Sequence, residues 1–203
     1  IESSTATVHL GAWAFHEEIA AGASGVVRSS AIAGHFNDLV KIAPGTLVGA
    51  ERSTAYGLEA AGFFGPAWAT GEWGTRNLRG VDASGRYDLD HQAWAVSAGW
   101  FLAGAVPAYS GKAGTWGKVK VADPVTDGGA GAWELKARYE DVDYAELPTG
   151  GTGHAWTLGT NWYLNDYSRV MFEAIRWQTH NRSGSGQGRD EGTTFNTRLQ
   201  VAF

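Results

Sequence analysis

The stretch Trp133-Glu-Leu-Lys-Ala-Arg-Tyr-Glu140, WELKARYE in one-letter code, changes character at every step. Its odd-numbered positions are apolar or aromatic, and its even-numbered positions all carry a charge. Because successive side chains of a β-strand point to opposite faces of a sheet, this alternation predicts a strand. One face of that strand is apolar and the other is charged.

The same two-residue period recurs along the chain. The C-terminal FNTRLQVAF (195–203) places Phe, Thr, Leu, Val and Phe on one face and Asn, Arg, Gln and Ala on the other. Nine strands are predicted, at residues 5–16, 27–41, 53–64, 66–78, 91–104, 131–144, 153–166, 168–181 and 195–203, with 116–121 as a further candidate. In 168–181, Glu173 shares parity with Met171 while Arg176 shares parity with Phe172, which predicts a bulge.

The composition is that of a single β-rich domain covering residues 1–203. Hydrophobic residues make up 43% and charged residues 18%, and the chain has 29 glycines, 10 tryptophans and no cysteine. Few charges with much glycine and tryptophan suit tight turns and apolar surfaces that are not all internal. A net charge of −5 without runs of like charge excludes nucleic acid as a partner, and no run of about 18 apolar residues predicts a membrane helix.

The alternation fits two architectures, a soluble β-sandwich and a membrane barrel. A sandwich would bury five indole rings in one core, and each of their N–H groups would need a partner. In a barrel the apolar faces contact lipid, and tryptophans near the strand ends form girdles at the two membrane–water interfaces. We therefore predict an all-β fold, a transmembrane antiparallel up-and-down β-barrel, since closure pairs every backbone group.

The connections are predicted to differ between the two ends of the barrel. Residues 64–66 and 164–167 have the composition of tight turns, whereas 77–90, 145–153 and 182–192 are longer, polar and glycine-rich. Short turns at one end and long loops at the other are typical of up-and-down barrels.

Catalytic and metal-binding motifs do not fit the sequence, so we predict no enzyme activity, cofactor or metal site. A phosphate-loop motif with Gly117 as its second glycine would need a glycine at position 112, which is Lys, and a hydroxyl residue at position 119, which is Val. No HExxH or GxSxG motif occurs, and the acidic residues between 82 and 90 lack the spacing of an EF-hand.

Several stretches resemble the porin O and P family, the phosphate- or polyphosphate-selective outer-membrane porins of Gram-negative bacteria. They occur in the family's order and are HLGAWAFH (9–16), YGLEAAGFFGPAWATGEW (56–73), WAVSAGWFLAG (94–104), GTWGKVKV (114–121), GAWELKARYEDVD (131–143), LGTNWYLND (158–166) and TRLQVAF (197–203). The resemblance implies a homotrimer of sixteen-stranded barrels in the bacterial outer membrane. With nine or ten strands, this chain would then be the C-terminal part of a longer protein, and the family's inward-folded constriction loop would lie in the missing portion.

The resemblance also implies partners and an activity. These are outer-membrane lipid and lipopolysaccharide, the outer-membrane assembly machinery, and small anionic solutes such as phosphate that diffuse passively through a water-filled pore. Two alternatives remain open, a structural barrel that does not conduct and a soluble, Trp-rich, carbohydrate-binding β-sandwich. Solubility without detergent separates the sandwich from both barrels.

The charged faces supply the candidate pore-lining residues, which are Arg76, Glu134, Lys136, Arg138, Glu140, Arg176 and Arg198. The competing interpretation is that the cations only solvate the wall and pair with Glu72, Glu134, Glu140 and Glu173. Lys118 and Lys120 are expected in a periplasmic connection. At the C-terminus, the alternate apolar residues resemble the signal that the assembly machinery recognises, with Phe195, Leu199, Val201 and Phe203 as its residues.

Overall fold

The computed structural model describes residues 6–23, 26–34, 39–103, 105–106, 109–110, 115–184 and 186–202. Within these residues, eight long strands carry the fold. They are β1 (Ala6–Glu18), β2 (Ala50–Phe64), β3 (Ala67–Asp82), β4 (Gly85–Ala103), β5 (Ala132–Asp143), β6 (Thr152–Asn165), β7 (Ser168–Asn181) and β8 (Gly188–Val201). Among the described residues, no helix is long and apolar enough to cross a lipid bilayer.

Each long strand pairs antiparallel with its neighbours in sequence, which gives one eight-stranded up-and-down sheet. The prediction of an all-β, antiparallel up-and-down architecture is therefore confirmed. The described sheet is not closed, because β1 and β8 form its two edges and do not pair with each other.

The predicted strand at 27–41 is wrong. Its described part contains only the two-residue strand Ser30–Ala31 and the first residue of its partner, the two-residue strand Lys41–Ile42. Ile32 and Ala33 are both buried although they are neighbours, so the chain does not alternate there, and Gly34 turns it with a φ of +96°. The candidate at 116–121 likewise supplies only ends of two-residue strands, Thr115–Trp116 and Lys120–Val121. The described sheet thus has eight long strands, not nine or ten.

The bulge predicted in 168–181 is also absent, because the β7 register is unbroken from Ser168 to Asn181 against β8. Glu173 shares a face with Met171 and Ile175, as its parity requires. Arg176 simply lies on the opposite face, near the end of the strand. Arg176, the residue that suggested a bulge, is therefore a surface arginine on a strand with an unbroken register.

The connections differ from the predicted division into short and long ends. The predicted loop at 77–90 is a hairpin, in which β3 and β4 continue to a two-residue turn and the Asp82 carboxylate accepts the Ser84 N–H at 2.7 Å. We call the end with the turns at 65–66 and 166–167 the turn end, and the other the loop end. The predicted loop at 145–153 ends at 151, because β6 begins at Thr152, and the one at 182–192 ends at 187, because β8 begins at Gly188. The long connection between β4 and β5 joins them at the turn end.

The described residues between β1 and β2, which are 19–23, 26–34 and 39–49, leave the loop end and fold across one face of the sheet. We call them the inward-folded segment. Ile32, Ala33 and Ile42 are buried in one apolar cluster with Leu78 of β3 and Ile175 of β7. The apolar area removed from water at these contacts holds the segment in place. The location of the family's constriction loop in another part of a longer protein stays a prediction.

A second connection folds onto the same face at the turn end. Val119 and Val121 pack against Phe101 of β4 and Tyr163 of β6, and the Val121 N–H donates to Asp166 at 2.8 Å. The connection then makes one 3₁₀ turn, Val125–Asp127, before β5 begins. Chain therefore covers this face of the sheet from both ends.

Candidate functional site

One face of the sheet is apolar and open. In register across the strands it carries large exposed side chains, including Leu10, Leu58, Val96, Leu135, Leu158, Phe172, Phe195 and Leu199. We call this the apolar face. A contiguous apolar surface across eight strands exceeds what a soluble monomer exposes. It has the character of a lipid-facing barrel exterior.

Two rows of aromatic side chains cross β4, β5 and β6 on the apolar face. The row nearer the loop end is Trp94, Tyr139 and Trp156, and the row nearer the turn end is Trp100, Trp133 and Trp162. Ring centroids lie 5.1 Å apart for Trp94–Tyr139 and 5.3 Å apart for Trp133–Trp162. On each strand the rows are six residues apart, roughly 20 Å of extended chain. Such rows are typical of the aromatic girdles at the two membrane interfaces.

The opposite face, the polar face, holds six of the seven predicted site residues. They are Arg76, Glu134, Lys136, Arg138, Glu140 and Arg198. Arg176 is the exception, and the prediction for it is wrong. It lies opposite Trp156 and Thr193 on the apolar face, and its guanidinium binds the Glu191 carboxylate at 3.0 Å.

Lys136 and Arg138 on the polar face are paired with carboxylates. Lys136 Nζ lies 2.6 Å from Glu173 Oε1, and Arg138 Nη2 lies 3.0 Å from Glu140 Oε2. These two ion pairs agree with the interpretation that the cations solvate the wall and pair with carboxylates. Within the described part of the chain, Glu134 and Glu72 form no ion pair with a candidate cation, so the predicted pairing of those two is not seen.

Glu134 is instead the centre of a buried hydrogen-bond cluster. Only 4% of the residue is exposed, and its carboxylate accepts from Trp68 Nε1 at 2.6 Å, from Asn161 Nδ2 at 2.6 Å and from Tyr163 OH at 2.8 Å. A buried carboxylate needs such donors to replace water. Glu134 therefore links β3, β5 and β6 through buried hydrogen bonds on the polar face.

Arg76 fastens the inward-folded segment to the sheet. Its guanidinium donates to Ser53 Oγ at 2.7 Å, to the Val26 carbonyl at 2.9 Å and to the Glu17 carboxylate at 2.7 Å. Three acceptors on three parts of the chain occupy most of the guanidinium's donors. Arg76 is thus held as a structural contact between β1, β2, β3 and the segment.

Two further side chains hold the segment at the loop end. Asn181 accepts the Ala43 N–H and donates to the Lys41 carbonyl, both at 2.8 Å. Tyr144, in the loop after β5, donates to the Arg28 carbonyl and accepts from Ser30 Oγ at 2.6 Å. Burial raises the pKa of the Tyr144 phenol, so it stays neutral at physiological pH and keeps its donor.

A cavity of about 720 Å³ lies on the polar face towards the turn end. Lys118 from the long connection, Lys136, Arg138 and Arg169 line it together with Glu72. Arg169 was missed in the sequence because the predicted bulge left the register of 168–181 undefined, although it shares parity with Glu173. It donates to Gln200 at 2.9 Å and to Tyr163 OH at 3.2 Å. No group of metal-ligating side chains occurs among the described residues.

The C-terminal strand has the predicted two faces. Phe195, Leu199 and Val201 lie exposed on the apolar face, whereas Arg198 and Gln200 lie on the polar face. Phe203, the last residue of the proposed assembly signal, lies outside the described residues.

Comparison with known proteins gives two similarities. The model of the family described as "Phosphate-selective porin O and P" matches residues 36–203. Porin O of Pseudomonas aeruginosa is 28% identical over 160 residues, which cover 74% of this chain and 35% of that protein. The chain thus spans about a third of the length of this curated relative.

Proposed function

The chain belongs to the phosphate-selective porin O and P family, and on that premise we propose that it forms part of the wall of an outer-membrane porin. Through this porin, small hydrophilic solutes, with phosphate among the anions, diffuse passively. The observation that carries the proposal is the division of one sheet into an exposed apolar face with two aromatic rows and a charged opposite face. A barrel wall between lipid and water requires this division.

We propose further that the porin is a closed sixteen-stranded barrel that assembles as a homotrimer. The edges of β1 and β8 leave backbone N–H and C=O groups that must be paired inside a bilayer. Strands from elsewhere in a longer chain supply the missing partners. The apolar face then contacts outer-membrane lipid and lipopolysaccharide, and the assembly machinery recognises Phe195, Leu199, Val201 and Phe203.

The mechanism of passage is electrostatic. Lys136, Arg138 and Arg198 on the polar face lower the cost for an anion to leave bulk water. The pairing of Lys136 and Arg138 with carboxylates keeps binding weak enough for release. Selectivity for phosphate is proposed from the family, because the polar face also carries carboxylates such as Glu140 and Glu173.

Planar bilayers test this proposal with the full-length protein that contains this chain. Stepwise conductance in KCl and a reversal potential that favours chloride are expected, together with a saturable decrease of the current when phosphate is added. An absence of steps refutes the pore, and a cation-favouring reversal potential refutes the anion preference.

A second candidate is a structural barrel that does not conduct. The inward-folded segment favours it, since Arg76, Asn181 and Tyr144 fasten that segment across the polar face. The same bilayer experiment separates the two, because a plugged barrel inserts without conducting. The exposed apolar face argues against a soluble sandwich.

A further inference from the structure

We propose that Trp13 and Phe15 form a two-ring platform on the polar face that binds a neutral, ring-shaped, polyhydroxylated solute, such as a disaccharide. The proposal rests on the proposed function, in which the polar face lines the water-filled path. Neither aromatic side chain was among the predicted site residues, and both lie outside the matched residues 36–203. Their place on the polar face follows from the pairing of β1 with β2.

The indole of Trp13 lies flat on the sheet. Trp13, Gly57 and Gly74 are in register on β1, β2 and β3. A Cβ on Gly57 would lie 2.5 Å from the indole ring, and one on Gly74 would lie 3.1 Å from it. The two glycines therefore leave room for one ring face to rest on the backbone of two neighbouring strands. The other ring face points away from the sheet.

Phe15 extends this surface along β1. The two ring planes differ by 13°, and their centroids are 6.2 Å apart. That separation is close to the roughly 6.6 Å between successive side chains on one face of a strand, so the rings lie side by side. Trp13 is 47% exposed and Phe15 43% exposed, although each faces a polar wall. Other polar-face indoles are engaged, since Trp68 donates to Glu134 and Trp177 to Thr194.

Polar groups stand at both ends of the platform. At one end the Glu59 side chain lies over Gly11, two residues before Trp13, and binds His9 at 3.0 Å. At the other end Arg76, paired with Glu17, lies 5.8 Å from the centre of the Phe15 ring. A cavity of about 470 Å³ above the rings is bounded by further polar groups, including Glu72 and Glu140.

This arrangement selects a class of solute. Aromatic faces bind the C–H faces of sugar rings by burying apolar area, while carboxylates and a guanidinium at the rim accept from and donate to hydroxyl groups. Carboxylates outnumber cations in the lining of this cavity, with Glu59, Glu72, Glu140 and Asp141 against Arg76 and Arg138, so an anion is disfavoured there. The indole N–H of Trp13 has no hydrogen-bond partner in the part of the chain that the structure describes, and a solute hydroxyl can accept from it.

The test uses the full-length protein in planar bilayers, with maltose as the probe and the KCl conductance as the baseline. Maltose is expected to reduce the current with saturation. Trp13→Ala should raise the half-saturating concentration about ten-fold, and Trp13→Phe, which keeps a ring, should raise it about three-fold. Trp156→Ala is the matched control, because Trp156 is an exposed indole on the apolar face and does not line this cavity, and it should leave the half-saturation unchanged.

Calorimetry of maltose binding to the detergent-solubilised protein separates the two proposals. A protein that conducts but shows no saturable response to maltose, or whose Trp13→Ala variant responds like the wild type, overturns the platform and leaves the porin intact. A protein that does not conduct overturns the porin. In that case, calorimetric binding that is lost in Trp13→Ala and kept in Trp156→Ala still supports the platform, and its absence overturns it.

Discussion

Asn181 gives the sharpest test of how the inward-folded segment is held. The residue is only 4% exposed, and Asn181→Ala removes both of its hydrogen bonds to the segment. A hydrogen bond contributes about 1 kcal/mol net, and a buried group that loses its partner costs roughly 1–3 kcal/mol. Removing the acceptor of Ala43 and the donor to Lys41 should therefore lower the free energy of opening the segment by about 2–4 kcal/mol.

Hydrogen exchange of the Ala43 amide measures this opening. A loss of about 2–4 kcal/mol predicts exchange roughly 30- to 1,000-fold faster at Ala43 in the detergent-solubilised protein, with the β5–β6 amides unchanged. Asn181→Asp keeps the acceptor but replaces the donor with a buried charge, so it should also accelerate exchange. Gln178→Ala is the control, because Gln178 lies on the apolar face of the same strand and binds Glu191.

Unchanged protection of Ala43 in Asn181→Ala would refute this reasoning. It would mean that burial of Ile32 and Ile42, rather than the two hydrogen bonds, limits the opening of the segment. Faster exchange throughout the sheet would also contradict it, because the lost contacts join Asn181 only to the segment. The expected pattern is local.

The other predictions concern the two faces of the wall. Glu134→Ala should lower the free energy of unfolding by roughly 2–4 kcal/mol in urea titrations, because three buried donors lose their acceptor. Lys136→Gln should shift the reversal potential towards cations by leaving the Glu173 carboxylate uncompensated, whereas Arg176→Gln on the apolar face should not move it. Phe195→Lys, at a position 80% exposed, should cost about 2–4 kcal/mol in folding into lipid vesicles, while Asn196→Lys on the polar face should cost little.

The sequence predicted best where the alternation is strict. In β5 and in residues 195–201 of β8, the side chains lie on the predicted faces, because a period of two leaves only two orientations for a strand. The prediction of a loop at 77–90 was wrong because the polar residues at these strand ends have the composition of a loop. Strand ends that extend beyond a bilayer are exposed to water on both faces. The prediction of a bulge was also wrong, because Arg176, a polar residue near the loop end of β7, was interpreted as a break in register.

The order of residues along the chain was enough to predict the class of the fold, the face of each strict strand and the family resemblance, since all three depend on local order. The contacts of the polar-face residues became visible only in the folded sheet. Arg76 fastens the inward-folded segment, Glu134 is buried under three donors, and Trp13 rests on two glycines from other strands. These partners are separated in sequence by tens of residues, and no periodicity encodes which distant side chains a sheet brings into register.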